Sequence, residues 1–163
     1  MLGRLADAGI ALRLGKDHVV RERSEVLTQG GQPFSVFTPY KNAWLKSLGA
    51  EHLAPHAVAP HADALAPLPD GEAGGVLALA DIGFAATNLH TLKMPSGPAG
   101  AVELFGDFLE RIDRYHETRD FPAVKGPSYL STHLRFGTIS VRHLAREAHA
   151  RAQAGERGAE VWL

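Results

Sequence analysis

Between residues 50 and 100, prolines fall at positions 55, 60, 67, 69, 95 and 98, with Gly71, Gly74 and Gly75 between them. Proline has no amide hydrogen to give to a helix or a sheet ladder, so neither runs through this stretch. The pattern predicts a long connection, extended or loosely ordered, with at most one helical turn near residues 77–82. A connection of this length is uncommon inside one compact domain. The chain therefore reads as two unlike units joined by a linker, and its 163 residues leave room for one domain, or one small unit plus part of another.

Before the linker, residues 2–8 form a short helical stretch that Gly9 ends, and residues 10–14 alternate in the manner of a strand. Gly30-Gly31 turns the chain before the apolar run Phe34-Ser35-Val36-Phe37. Thr38 is placed to cap a helix with Pro39 at its first position, running through Trp44 and Leu45 to a stop at Gly49. One strand and two helices cannot close a sheet. This part is either an unusual miniature or an α/β remnant whose remaining sheet lies outside the chain.

After the linker the pattern is all-α. Val102, Phe105, Phe108 or Leu109, Ile112 and Tyr115 recur at spacings of three and four, which predicts one amphipathic helix. Phe121-Pro122 terminates it, because a residue before proline is pushed out of the helical region. A loop at residues 125–128 precedes a short helix closed by Gly137. Ser140 is placed to cap a further helix with Val141, Leu144, Ala145 and Ala148 on one face, and another helix begins at Trp162-Leu163. The fold class expected is an α/β remnant joined by a long linker to an all-α segment.

The chain contains no cysteine, which excludes a disulfide framework, a thiolate zinc site and a cysteine nucleophile. Its formal charge of −1 hides an uneven distribution. Residues 1–50 carry seven basic groups against four acids, residues 51–100 one against five, and residues 121–158 six against two. From charge alone, solvated helix faces account for such blocks better than a polyanion partner does. No apolar run approaches the ~20 residues that cross a bilayer. A soluble, cytoplasmic protein is expected.

His52, His56 and His61 have metal-like spacing, but Pro55 and Pro60 break the helix that would bring them to one face, so no metal is expected there. Residues 71–75 (GEAGG) lack the Lys-Ser/Thr of a phosphate loop and read as linker. The informative stretch is YHETRDFPAVKGPSYLS, residues 115–131. Tyr115 and Arg119 are one helical turn apart, and Ser128 and Ser131 bracket the start of the next helix, where free amides favour an anion. With Lys125 these groups suit a phosphate. The same residues also suit two ordinary caps and a core tyrosine.

Three segments carry a resemblance. They are Val36-Phe37-Thr38-Pro39-Tyr40-Lys41-Asn42-Ala43-Trp44-Leu45-Lys46, then Arg119-Asp120-Phe121-Pro122, then Tyr129-Leu130-Ser131-Thr132-His133-Leu134-Arg135-Phe136-Gly137-Thr138-Ile139-Ser140. In this order, across a proline-rich connector, they resemble the photolyase/cryptochrome family, in particular bacterial class I photolyases that split cyclobutane pyrimidine dimers. The resemblance spans essentially the whole chain. It implies that residues 1–49 are the C-terminal part of the family's α/β (antenna) domain, 50–100 the interdomain linker, and 101–163 the N-terminal part of the helical FAD-binding domain.

The resemblance further implies contacts to FAD, mainly its phosphates, by Tyr115 and by Pro127, Ser128, Tyr129, Leu130 and Ser131. Trp162 falls where the family has a tryptophan beside the cofactor, and Arg119 where an arginine meets the DNA strand. Pro127 stands where many relatives have threonine, which removes one hydroxyl. The implied function is deoxyribodipyrimidine photolyase: reduced FAD takes up blue light and passes an electron to a flipped-out dimer in damaged DNA. The substrate-contacting residues, most of the flavin pocket and the pocket for a folate or other antenna chromophore are expected outside the chain, so this piece alone is expected to be inactive. A monomer is expected, without a membrane. Two other readings remain: a cryptochrome-like flavin photoreceptor without repair, and a helical interaction domain with no ligand.

Overall fold

A computed structural model describes residues 2–163 apart from 14, 17, 23 and 68–74. The helices are α1 (Leu2–Asp7), α2 (Phe37–Lys46), α3 (Ala50–Leu53), α4 (Gly97–Leu109), α5 (Tyr115–Thr118), α6 (Ser131–Phe136), α7 (Val141–Gln153) and α8 (Arg157–Trp162). Among the described residues no strand forms. The alternating segment at residues 10–13 is irregular, because a lone segment of this kind has no neighbour to take its ladder hydrogen bonds; Leu14 lies outside the described residues.

Two helix stops follow the glycines expected, with Gly9 at φ 70° and Gly137 at φ 64°, where a side chain would be strained. The start of α2 differs: the cap position is Val36, so Thr38 and Pro39 lie in the first turn, where a missing amide hydrogen costs nothing. In the connector, 3₁₀ turns occupy Ala59–Ala64, Leu79–Ile82 and Leu89–Leu92. Residues 71–74 of the glycine-rich stretch lie outside the described residues. Every described side chain at residues 54–67 and 75–94 is exposed. The ends of the stretch are different, since α3 packs on α7 and α4 already begins at Gly97.

The stripe expected to run unbroken from Val102 to Tyr115 is divided. Helix α4 ends at Leu109, a 3₁₀ turn spans Ile112–Arg114, and α5 starts at Tyr115. The cause is a long-range contact. Helix α8 presses on this turn so closely that a Cβ at Gly158 would run into the carbonyl oxygen of Ile112. Tertiary packing here overrides helical periodicity. Within the stripe Ala101 is fully buried and Val102 is 67% exposed, so the inward face is Ala101, Phe105, Phe108 and Ile112.

These four residues, with Leu130, Ile139, Leu144 and Ala159, form the core, and Leu104, Leu109, Tyr115 and Trp162 pack around it. Trp162 lies against Phe108 at 4.9 Å between ring centroids and stacks on Phe105 at 6.2 Å. Arginine side chains tie α7 to earlier segments and also bridge within the first third. Arg142 donates to the Val19 carbonyl at 3.4 Å, Arg146 to the Leu53 carbonyl at 3.2 Å, and Arg21 to the Ser47 carbonyl. No helix among the described residues is long and apolar enough to cross a membrane.

Phe108 is completely buried. Phe108→Ala is expected to lower unfolding free energy in urea by about 3–5 kcal/mol, through lost transfer energy and a residual cavity. Val102→Ala is expected to stay within about 0.5 kcal/mol of the unsubstituted chain. Equal losses for the two would contradict the inward face assigned here.

Candidate functional site

Helix α5 begins with Tyr115, whose half-buried ring meets Phe108 edge-on at 5.8 Å. One turn later the Arg119 guanidinium lies 6.0 Å from the Tyr115 ring centroid and pairs with Asp120 at 3.5 Å. The two residues thus share a face, as their spacing predicts, and the Arg119 side chain remains 45% exposed.

The chain then doubles back. At Gly126 the loop passes so close to the end of α5 that a Cβ would lie 2.7 Å from the Thr118 carbonyl oxygen, a distance only glycine tolerates. Pro127 and Ser128 follow, both half-buried, and then Tyr129 in the left-handed region at φ 56°. Such a backbone costs a tyrosine of order 1–3 kcal/mol and persists only where its surroundings hold it. Leu130 turns inward, almost wholly buried, and occupies the cap position of α6. It has no side-chain oxygen. Ser131 is therefore the first helical residue, exposed, and neither Ser131 nor Ser128 occupies the capping position.

A cavity of about 330 Å³ opens beside this loop. Ser128 and Trp162 stand in its wall together with Trp44, Leu144, Ala148 and Leu163. The structure thus joins two of the expected cofactor residues at one concavity. Tyr115, Pro127, Tyr129, Leu130 and Ser131 are not part of its wall. A larger cavity, about 580 Å³, lies at the start of α7 against Lys16, His18, His56 and Arg142, and contains none of the expected site residues. His52 accepts the Gly49 amide at 2.9 Å, and no three metal-ligating side chains converge among the described residues.

Two features escaped the sequence reading. His133 is buried, with Nδ1 2.7 Å from the Thr138 hydroxyl and a buried Nε2 that has no hydrogen-bond partner among the described residues. Its position one turn after Leu130 was the available signal, since both fall on the inner face of α6. Asp107 is the second feature: Lys125 Nζ donates to its carboxylate at 2.8 Å, and Arg111 donates to the other oxygen at 2.5 Å. The hydrogen bond from Lys125 above all, with help from the Arg111 guanidinium and against partial desolvation, holds the Asp107 carboxyl below the usual aspartate range.

Over 98% of its length the chain is 32% identical to a deoxyribodipyrimidine photo-lyase of Vibrio cholerae, and over 88% it is 32% identical to one of Halobacterium salinarum. Across nearly its whole length the chain is similar to deoxyribodipyrimidine photo-lyases. Over 97% of its length it is also 31% identical to an uncharacterized 31.6 kDa protein of Synechococcus. No family model matches the chain. The chain spans 34% and 29% of the length of the two photo-lyases and 56% of the Synechococcus protein.

The contact of Asp107 with Lys125 implies a pH dependence of stability whose sign can be worked out. A carboxyl whose pKa is lower folded than unfolded stabilises the fold fully above its unfolded value near 4, and loses that contribution as the pH falls through the depressed folded value. Asp107→Asn should therefore be less stable than the unsubstituted chain at pH 6, with the gap in urea midpoint closing toward pH 2. A gap that is constant with pH would show that the Asp107 charge contributes nothing.

Proposed function

We propose that this sequence serves as part of a deoxyribodipyrimidine photolyase, a light-driven, FAD-dependent lyase that splits cyclobutane pyrimidine dimers in DNA. The observation that carries the reading is 32% identity to the Vibrio cholerae photo-lyase across nearly the whole chain. In this reading residues 1–49 close an α/β antenna domain, 50–100 form the linker, and 101–163 open the helical flavin domain. The protein works as a cytoplasmic monomer, and a folate or other antenna chromophore belongs to the α/β domain.

The residues present fit a flavin dinucleotide in part. The cavity beside Ser128 is mostly apolar and lies at the lower end of the ~300–1,000 Å³ range of ligand pockets. Trp162 and Leu144 suit a ring system, the Ser128 hydroxyl suits an oxygen at its edge, and Tyr115 and Ser131 supply further hydroxyls nearby on the chain. Pro127 and Tyr129 shape the loop, and Leu130 anchors it in the core. Bound reduced FAD supplies the light-driven electron chemistry. The protein groups bind, orient and keep water from one face of it. Arg119, half-exposed beside Tyr115, binds a DNA phosphate, which positions the strand without reading its sequence.

Two experiments test this. Incubated with FAD and passed through gel filtration, the isolated chain should not retain flavin stoichiometrically, because so open a cavity walls only one side of the ligand. Stoichiometric retention would contradict that coverage argument. Placed in the Vibrio cholerae photo-lyase in exchange for the matching segment, the chain should support flavin binding and light-dependent dimer splitting. There Tyr115→Phe with Ser128→Ala should lower flavin content severalfold, and Arg119→Gln should reduce the salt slope of DNA binding by about one. Flavin retained without dimer splitting points to a photoreceptor instead, and flavin content indifferent to the double substitution points to a helical domain without this ligand.

A further inference from the structure

We infer that Arg111 is a positioning residue: with Asp107 and Lys125 it clasps the loop at residues 125–130 and thereby holds Ser128 in the cavity wall. The inference rests on the flavin reading above. Arg111 Nη2 donates to the Pro127 carbonyl at 2.9 Å, one residue before Ser128. Its Nη1 donates to both the Asp107 carbonyl and the Asp107 carboxylate, each at 2.5 Å. Lys125 Nζ takes the second carboxylate oxygen at 2.8 Å. The loop is thus tied at residue 125 through its side chain to Asp107 of α4 and at residue 127 through its backbone to Arg111 just after α4, on either side of Gly126.

An exposed ion pair of this kind would contribute little. Arg111 is different in three respects. Its side chain is only 20% exposed, its guanidinium lies 5.4 Å from the Phe108 ring centroid, and it spans two partners at once. That span needs a planar fork, which arginine has and lysine lacks. The clasp also acts just before Tyr129, whose left-handed backbone has to be held from outside. Asp107 is the hub: its negative charge compensates both cations, and Lys125, 61% exposed, keeps donors free toward solvent.

The test uses the full 163-residue chain, labelled with ¹⁵N, and FAD added to millimolar concentration as the probe. In the unsubstituted chain FAD should shift the amides of Ser128 and Leu130. Arg111→Met and Arg111→Lys should each weaken that response about tenfold, the equivalent of one lost charged hydrogen bond, and increase amide exchange at Gly126 and Ser128. Exchange in the α7 core should stay unchanged. Asp107→Asn should loosen the same loop amides from the other side. Full retention of FAD response and loop protection in Arg111→Met overturns the clasp and leaves the cofactor reading intact. Retention in Arg111→Lys with loss in Arg111→Met also overturns it, since charge alone would then suffice. If FAD shifts nothing in the unsubstituted chain, the ligand-positioning role of Arg111 falls.

Discussion

Burial of Phe108 against Trp162 and Tyr115 is the contact on which the helical part depends. Helices α5, α6 and α8 have four, six and six residues, far below the ~12–15 at which a helix is even marginal alone in water. They exist because each buries something against α4 or its continuation: Tyr115 from α5, Leu130 at the entrance of α6, Trp162 and Ala159 from α8. The absence of a side chain at Gly158 allows α8 to approach the Ile112 turn, and that approach ends the long helix that the apolar spacing predicts. One aromatic contact and one glycine therefore set the angle between α4 and everything that follows it.

What could be read in the sequence divides along the same line. Local constraints were legible. Gly9 and Gly137 end helices because their positive φ is open to glycine, and Phe105, Phe108 and Ile112 are inward because spacings of three and four put them on one face. Val102 was misassigned to that face, since a stripe can be drawn through either of two neighbours and small Ala101 gives the weaker hydropathy signal. Pairings between distant residues were not legible. The Asp107–Lys125 contact joins residues 18 apart, and nothing local announces it. The alternating residues at 10–13 failed as a strand for a similar reason, since alternation describes a segment's two faces and says nothing of whether a partner strand is at hand. At the site, the motif residues were legible as a group, but their division between cavity wall and outer surface depended on Leu130 turning inward.

That division bears on how a ligand would lie. A helix of six residues has a weak dipole, and the cap position of α6 is a leucine, so the helix entrance alone is a poor grip for a pyrophosphate. Ser128 lines the apolar concavity, whereas Ser131 is exposed and not part of its wall, with the buried Leu130 between them in the sequence. A ligand that touches both serines has to place an apolar body against Trp162 and Leu144 and extend beyond the cavity wall to present polar groups at Ser131. A compact anion cannot do this, and a flat ring system alone would leave Ser131 unused. An extended molecule with an apolar ring at one end and an anionic middle meets both demands. The loop therefore makes more physical sense as a rim between two ligand environments than as a single anion hole, which is why its rigidity, supplied by Arg111 from beneath, matters more than the charge at any one of its residues.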